Sequence, residues 1–387
     1  RTMDENFFLC SNCCKDESLK NYVLINSNKN SFPCTICLSN NYNIDVTINE
    51  KFNRFCRFLI RYHFPEYIYN SRWGGEDFPL PFYIQNSIIN HEFADKISRE
   101  EEIDQFIDTL FDLNEYPFDD LYYGYDDTGR GLFSYSLKEN GSKYWHKYKS
   151  ELQKKNHYLL INEASLIFKQ AFEDNKYTLP SGTLLYRARI GYKEEKIEEE
   201  FSVKIKKAFE KDSISSPPIF KSTSGRLNRQ GVSYLYLASS EGVALGEVRP
   251  QPGHYVSIGC FENLDDLKMA DLRFINLYDH FDDKESLKKY LFLKDISDEL
   301  CSPILPEMNE QYLITQFISD IIRDLEYDGI LFKSSVYEGY NALIFDSSKF
   351  KYTSKNSSLV KIKSLEYLTE AVIYDNNAFT GLPEERK

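Results

Sequence analysis

Four cysteines near the N-terminus have the spacing of a metal site. Cys10 and Cys13 form one C-x2-C pair, and Cys34 and Cys37 form a second pair after 20 intervening residues. Each pair can direct two thiolates at one ion, so we expect a structural zinc site with four sulfur ligands. Cys14 can replace Cys13 only by giving up the two-residue spacing. The alternative is that these cysteines are reduced pairs or disulfides.

A second group of residues, in the C-terminal half, has the chemistry to hold a polyphosphate and a ribose. A planar guanidinium binds phosphate through two parallel hydrogen bonds and stays charged in a cleft. This half contains no H-E-x-x-H, Walker A or G-x-G-x-x-G motif, and six histidines in all make a histidine-based triad hard to build. The group consists of Tyr186-Arg187, Gly225-Arg226-Leu227-Asn228, Tyr234, Tyr236, Glu247 and Ser334-Ser335.

Helical periodicity dominates the chain before residue 175. Thr47-x-x-Glu50 reads as a capping box in front of a helix that ends near Pro65, and Ser98-x-x-Glu101 starts a second helix. A third helical stretch covers 143–174, while the proline- and aromatic-rich segment 65–86 predicts a loop. We therefore expect a knuckle over 1–40 and a helical domain over 41–178.

The pattern changes after Pro180-Ser181-Gly182, the best candidate for a domain boundary. Strand patterns and shorter helices then alternate, which predicts an α+β domain over 179–375 and a flexible tail over 376–387. The expected strands are 183–189, 233–238, 328–334 and 341–345, and the expected helices are 239–249 and 312–325.

Composition excludes several classes of protein. An apolar fraction of 42% with 28% charged residues excludes a wholly disordered chain. The net charge of −13 repels phosphate backbones, so nucleic acid is not an expected partner. No apolar run approaches the ~20 residues that a bilayer-spanning helix needs, and no signal sequence is recognisable. We expect a cytoplasmic protein without membrane contact.

The order and spacing of the C-terminal motifs closely resemble the RES domain, a family named for its Arg, Glu and Ser. The resemblance covers residues 180–350, and the N-terminal part is similar to a HEPN-type helical domain with a leading Cys-rich knuckle. RES proteins are known as NAD-degrading toxins with an ADP-ribosyltransferase-like fold, which implies a split β-sheet and an NAD cleft. The blocks are Tyr186-Arg187-Ala188-Arg189, Gly225-Arg226-x-Asn228-x-x-Gly231, Leu235-Tyr236-Leu237-Ala238, Ala244-x-x-Glu247 and Asp328-Gly329-Ile330-x-x-x-Ser334.

The same resemblance implies a role for each matching residue. Nicotinamide leaves NAD as a neutral group, so the enzyme needs a carboxylate beside an oxocarbenium-like ribose and no general acid. Phe332-Lys333 departs from the family pattern before the serine, so Ser335 competes with Ser334. The implied catalytic residues are Arg187, Glu247 and Ser334, and the implied NAD-binding residues are Tyr186, Arg226, Asn228, Tyr236 and Ser335.

We therefore expect an NAD glycohydrolase or phosphorylase that acts as a toxin or an antiviral defence effector, restrained by its N-terminal domain or by an antitoxin. The sequence also leaves open whether the protein forms a homo-oligomer. Three alternatives remain: an ADP-ribosyltransferase that modifies a macromolecule, a non-catalytic NAD sensor, and a HEPN ribonuclease. The last rests on Arg57 and His63, whose separation fits a loose R-x4-6-H spacing.

Overall fold

The computed structural model of the protein describes residues 6–28, 32–40, 42–47, 49–65, 87–89, 100–111, 136–198, 202–302 and 312–366. Residues 66–86 of the loop expected over 65–86, the capping residue Ser98 and the tail over 376–387 lie outside the described residues. In the part of the chain that is described, no helix combines the length and the apolar character needed to cross a membrane.

The N-terminal part combines a small sheet with helices. Thr47 does not cap the predicted helix that ends near Pro65, because its hydroxyl donates to Asp45. Asn49 caps this helix instead, and its side chain accepts from the Phe52 amide at 3.2 Å. The elements are β1 (Phe8–Cys10), α1 (Glu17–Asn26), β2 (Asn43–Asp45), α2 (Glu50–His63) and α3 (Glu100–Phe111), with β1 and β2 antiparallel.

The expected long helix over 143–174 is two helices, preceded by one short turn of helix. Asn156 separates them because its side chain accepts from the Tyr158 amide at 2.9 Å, which starts a new helix. The bounds are α4 (Leu137–Asn140), α5 (Lys143–Leu152) and α6 (His157–Phe172).

The remaining elements form a large mixed sheet with helices, which confirms the predicted α+β class. The strands are β3 (Lys176–Leu179), β4 (Leu184–Ile190), β7 (Leu235–Ala238), β8 (Tyr255–Asn263), β9 (Leu267–Leu272), β10 (Gly329–Lys333), β11 (Tyr340–Ile344) and β12 (Phe350–Lys361). A separate hairpin pairs β5 (Lys193–Glu198) with β6 (Ser202–Lys207), and the helices are α7 (Glu241–Glu247), α8 (Lys284–Cys301) and α9 (Tyr312–Asp324).

The large sheet is divided near its middle. Its order is β12-β8-β4-β7-β11-β10-β9-β3, and every neighbouring pair is antiparallel except β9 with β10. Strands β4 and β7 pair only through Tyr186 and Ala238. The two halves of the sheet therefore separate on either side of this pair. Helix α7 lies over the junction, where Val243 and Ala244 pack on β4 and β7.

Buried side chains join the two halves of the chain. Residues of α5 and α6 share a core with α8, α9 and β10, although the sequence places both helices in the N-terminal helical domain. Conversely, Phe281 packs on Phe55 of α2, with ring centroids 5.3 Å apart. Packing therefore does not separate the chain at residue 178, and the edge strand β3 already begins at Lys176.

Phe281 provides a test of this joint core. The ring is 3% exposed and contacts Phe55 and Phe58, so Phe281→Ala should lower the free energy of unfolding by about 3–5 kcal/mol. The matched control is Phe274→Ala, because that ring is 73% exposed and should change the value by less than about 0.5 kcal/mol. Chemical denaturation measures both, and equal effects would contradict the joint core.

Candidate active site

The carboxylate of Glu247 stands at the C-terminal end of α7 and is held by two side chains from the sheet. Its Oε1 accepts from the Ser334 hydroxyl at 3.1 Å and from the Asn341 amide at 2.7 Å. Ser334 and Asn341 are buried, whereas Glu247 as a residue is exposed. The carboxylate is thus fixed from one side and open to a ligand on the other.

Two glycines of α7 explain how Ser334 reaches Glu247. Gly242 and Gly246 lie four residues apart and share a face of the helix. A Cβ at Gly242 would come within 2.6 Å of the Tyr337 ring, and one at Gly246 within 3.0 Å of Val336. The segment after β10 therefore lies directly on the helix, and this close approach places Ser334 beside the carboxylate.

Arg187 occupies the gap where the sheet divides. It follows Tyr186, the residue at which β4 and β7 stop pairing, and its Nη1 donates to the Tyr236 carbonyl at 3.0 Å. The Nε of Arg187 is buried and has no hydrogen-bond partner among the described residues. Burial lowers the pKa of this guanidinium, although an arginine remains charged. A half-buried cation in a gap of the sheet favours an anionic ligand.

Arg226 has the same property but is anchored from a different direction. Its Nη2 donates to the carbonyls of Glu299 at 3.0 Å and Ser302 at 2.6 Å, at the C-terminal end of α8. Its Nε is also buried without a partner in the described structure. Burial lowers the pKa of Arg226, while Cys301 and the Glu247 carboxylate act in the opposite direction. Arg226 and Glu247 are therefore close enough to influence each other.

Asn228 organises the loop that carries Arg226. Its Nδ2 donates to several oxygens of the loop, among them the carbonyls of Thr223 and Val232, both at 2.9 Å. Its Oδ1 accepts from the Tyr236 hydroxyl at 2.8 Å, and that hydroxyl accepts from the Leu227 amide. The side chain of Asn228 thus holds the loop together, and the ligand contact that the resemblance implied stays a prediction.

Tyr236 links the two arginines. Its carbonyl accepts from Arg187, and its hydroxyl holds the loop of Arg226 through Asn228. Burial raises its pKa, so the hydroxyl remains a neutral hydrogen-bonding group.

The other two predicted NAD-binding residues differ in position. Tyr186 is half-buried against the small cluster beneath α7. Ser335 is exposed, and it is the neighbouring Ser334 whose hydroxyl contacts Glu247. The geometry therefore favours Ser334 for the family serine. Ligand binding by Tyr186 or Ser335 stays a prediction.

Sequence reasoning missed Asn341 and Gln316. Asn341 is a polar residue near the start of a strand that is otherwise apolar, a signal that could have identified it. Gln316 lies in α9, where its Nε2 donates to the carbonyls of Gly225 and Asn228 at 2.8 and 3.0 Å. Gln316 thus holds the loop that carries Arg226, and only the tertiary structure reveals this contact.

The four N-terminal cysteines come together as the spacing predicted. Their sulfurs all lie within 4.8 Å of one another, and three of the four residues are buried. Cys14 is not part of the group, because its thiol donates to the Cys10 carbonyl. The hydrogen bond between Cys10 and Cys13 lowers the pKa of the Cys10 thiol and raises the pKa of the Cys13 thiol. Four crowded thiols resist joint ionisation, and a bound cation would remove this conflict.

The pair proposed for a ribonuclease is not arranged as an open site. The side chains of His63 and Asp16 are 7% and 8% exposed, and they contact each other at 2.9 Å. Arg57 is 5% exposed. Both members of the R-x4-6-H pair are therefore embedded in the core around α2, away from solvent.

A cleft of about 830 Å³ lies elsewhere, between α6, β3 and the start of α8. None of the predicted site residues lines it. Its charges are mixed, and Lys289 and Asp174 form an ion pair across it. It therefore shows no preference for an anionic ligand.

Comparison with known proteins bears on the C-terminal part of the chain. Residues 204–361 match the model of the RES domain, which confirms the resemblance that the motifs predicted. The match does not reach the N-terminal helices, whose likeness to HEPN domains stays a prediction. No curated protein sequence matches the chain.

One solved structure is similar, the crystal structure of the M. tuberculosis MbcT–MbcA toxin–antitoxin complex. It shares 12% sequence identity and has a TM-score of 0.30. The alignment covers 50% of this chain and 91% of that chain. This likeness is too low to support an argument about fold or function.

The hydroxyl of Tyr236 provides a test of the arginine loop. Tyr236→Phe leaves Asn228 Oδ1 and the buried Leu227 amide without this partner, so the free energy of unfolding should fall by about 1–3 kcal/mol. Tyr337→Phe is the matched control, since Tyr337 is 58% exposed and should change little. If chemical denaturation gives both variants wild-type stability, Tyr236 does not hold the loop.

Proposed function

We propose that this protein cleaves the bond between nicotinamide and ribose in NAD. The observation that supports this most strongly is the carboxylate of Glu247, which Ser334 and Asn341 hold through one oxygen. As the C1′–N bond breaks, its electron pair leaves with nicotinamide, which becomes neutral. The ribose gains oxocarbenium character, and the negative charge of Glu247 stabilises it more in the transition state than in the ground state.

The two arginines would bind the pyrophosphate. Each arginine is half-buried and keeps N–H groups that no hydrogen bond within the described residues uses, so each guanidinium can donate to a phosphate oxygen. Arg226 keeps its Nη2 bonds to Glu299 and Ser302 meanwhile, which holds the guanidinium in place. In a chain of net charge −13, these two cations are what would attract the dianionic pyrophosphate of the dinucleotide.

Water is the acceptor we propose for the ribose. It attacks C1′ and releases a proton, so the products are nicotinamide, ADP-ribose and H⁺. Phosphate in place of water would give ADP-ribose 1″-phosphate, and a macromolecular acceptor would give a labelled protein or nucleic acid. Product identification by mass spectrometry separates these three reactions. Depletion of NAD would make the protein a toxin, which would need restraint by a partner.

Substitution of Glu247 tests the proposal. Glu247→Gln removes the charge but keeps the shape, so nicotinamide release from NAD should fall by at least about 100-fold, in line with the loss of one stabilising group. The matched control is Glu241→Gln on the same helix, also an exposed position, which should retain wild-type release. Nicotinamide is quantified by liquid chromatography. Undiminished release by Glu247→Gln, or no release by the wild-type protein, would contradict the proposal.

For the four cysteines we propose Zn²⁺. Sulfurs placed about 2.3 Å from a tetrahedral zinc ion lie about 3.8 Å apart. Here Cys10 Sγ is 3.6 Å from the sulfurs of Cys13 and Cys37, and the Cys13 and Cys34 sulfurs are 3.8 Å apart. The thiolate set fits this ion without rearrangement. With four protein ligands the ion would have a structural role and no part in catalysis.

The metal site would support the catalytic half through α8. The first part of this helix and the turn before it share the core of the cysteine cluster, through residues such as Leu277 and Tyr290. The far end of α8 supplies the carbonyls that hold Arg226. We therefore propose that the N-terminal part is a support for the active site and not an independently moving domain.

Zinc content tests this proposal. Native mass spectrometry should find one Zn²⁺ per chain in the wild-type protein and none in Cys34→Ser, which removes a buried ligand. Thermal unfolding of Cys34→Ser should also occur at a lower temperature. Cys260→Ala is the control, because this buried cysteine lies in β8 and outside the cluster, and it should keep the metal. A wild-type protein without zinc would contradict the assignment.

A further inference from the structure

Asn341 is the least expected member of the Glu247 site. It lies in β11 opposite Ala238, the last residue of β7, from which the chain runs through two serines into α7. Its amide donates to Glu247 Oε1 at 2.7 Å, the shorter of the two hydrogen bonds to this oxygen. The side chain is 8% exposed, so few other partners are available to it.

The position of Glu247 makes such a donor necessary. A helix C-terminus carries partial negative charge, so a carboxylate there is electrostatically disfavoured. Glu247 is the last residue of α7, and the acidic side chain gains nothing from the helix itself. A donor fixed in a central strand offsets this effect and also selects one orientation of a long, flexible side chain.

The backbone around Asn341 is held as well. Gly339, at φ 137°, passes so close to α7 that a Cβ would lie 2.6 Å from Ser239 Oγ and 2.7 Å from Val243. The Tyr340 amide donates to Ser239 Oγ at 3.0 Å, and the Ser239 amide donates to the Tyr340 carbonyl at 2.9 Å. The start of β11 is thus attached to the start of α7, and Asn341 closes the same junction at its other end.

We propose that Asn341 is a positioning residue that holds the Glu247 carboxylate in one orientation, with one oxygen engaged and the other turned to the ribose. This rests on the proposed cleavage of NAD. Ser334 supplies the second donor, and the charged group that acts on this carboxylate from the neighbouring loop is Arg226. Asn341 itself touches no reacting atom.

Two variants of Asn341 test the role through the pH dependence of nicotinamide release. Asn341→Leu keeps the size of the side chain but removes the hydrogen-bond donor. The acid limb of the pH–rate profile should therefore move to higher pH. Asn341→Asp puts a second carboxylate in the same place. Because two adjacent carboxylates resist joint ionisation, the acid limb should move further, by about one pH unit or more. A merely structural role would not order the variants in this way.

Kinetics at the pH optimum add a second readout. In Asn341→Leu we expect kcat to fall by about 10-fold or more while KM changes little, because the contact acts on the transition state. In a Glu247→Gln background the same substitution should have no further effect, because the two residues act as a unit. Asn175→Leu is the matched control: this half-buried residue precedes edge strand β3 of the same sheet and should leave rate and pH profile unchanged.

Failure of this inference is separable from failure of the proposed function. If Glu247→Gln abolishes release but both Asn341 variants keep the wild-type pH profile and kcat, Asn341 is not a positioning residue and NAD cleavage stands. If the wild-type protein does not cleave NAD, carbon-13 NMR of the glutamate carboxyl groups still tests the contact between Asn341 and Glu247. The Glu247→Gln protein identifies the Glu247 carboxyl resonance by its absence. A Glu247 titration midpoint that moves to higher pH in Asn341→Asp supports the contact, and an unmoved midpoint overturns it.

Discussion

The active-site region depends on the place where the large sheet stops being continuous. Tyr186 and Ala238 form the one pair between β4 and β7, and the strands separate beyond it. Backbone groups at such an opening need new partners, and the Arg187 guanidinium supplies one for the Tyr236 carbonyl. The chain then turns from β7 into α7. This helix covers the junction of β4 and β7, and Glu247 is its last residue. One interruption in a ladder thus creates room for a cation and a carboxylate.

The partial burial of Arg187 and Arg226 costs free energy in this arrangement. A guanidinium loses its hydration on burial, and carbonyl oxygens can replace only part of it. Arg226 obtains two carbonyls from the end of α8, but within the described part of the chain its Nε has no hydrogen-bond partner, and neither has the Nε of Arg187. The other end of α8 lies in the core around the cysteines. The N-terminal half therefore contributes to the C-terminal half through one helix that is common to both cores.

Motifs and local patterns predicted much of this site, and long-range contacts account for the rest. The α+β class, the RES domain, the four metal-site cysteines and the strands around Arg187 and Ser334 were predicted from the sequence. Strand β8 was missed although Val256, Ile258 and Cys260 alternate with Ser257 and Gly259, and α8 was missed as well. Asn341 and Gln316 were missed because their partners lie 94 and 91 residues away along the chain. Such contacts leave no local pattern.

The most direct test is the crystal structure of the inactive Glu247→Gln protein with NAD bound. The nicotinamide ribose hydroxyls should lie within hydrogen-bond distance of residue 247. Phosphate oxygens should accept from the guanidinium groups of Arg187 and Arg226. NAD seated instead in the cleft between α6 and α8, or with its phosphates away from both arginines, would contradict this binding mode.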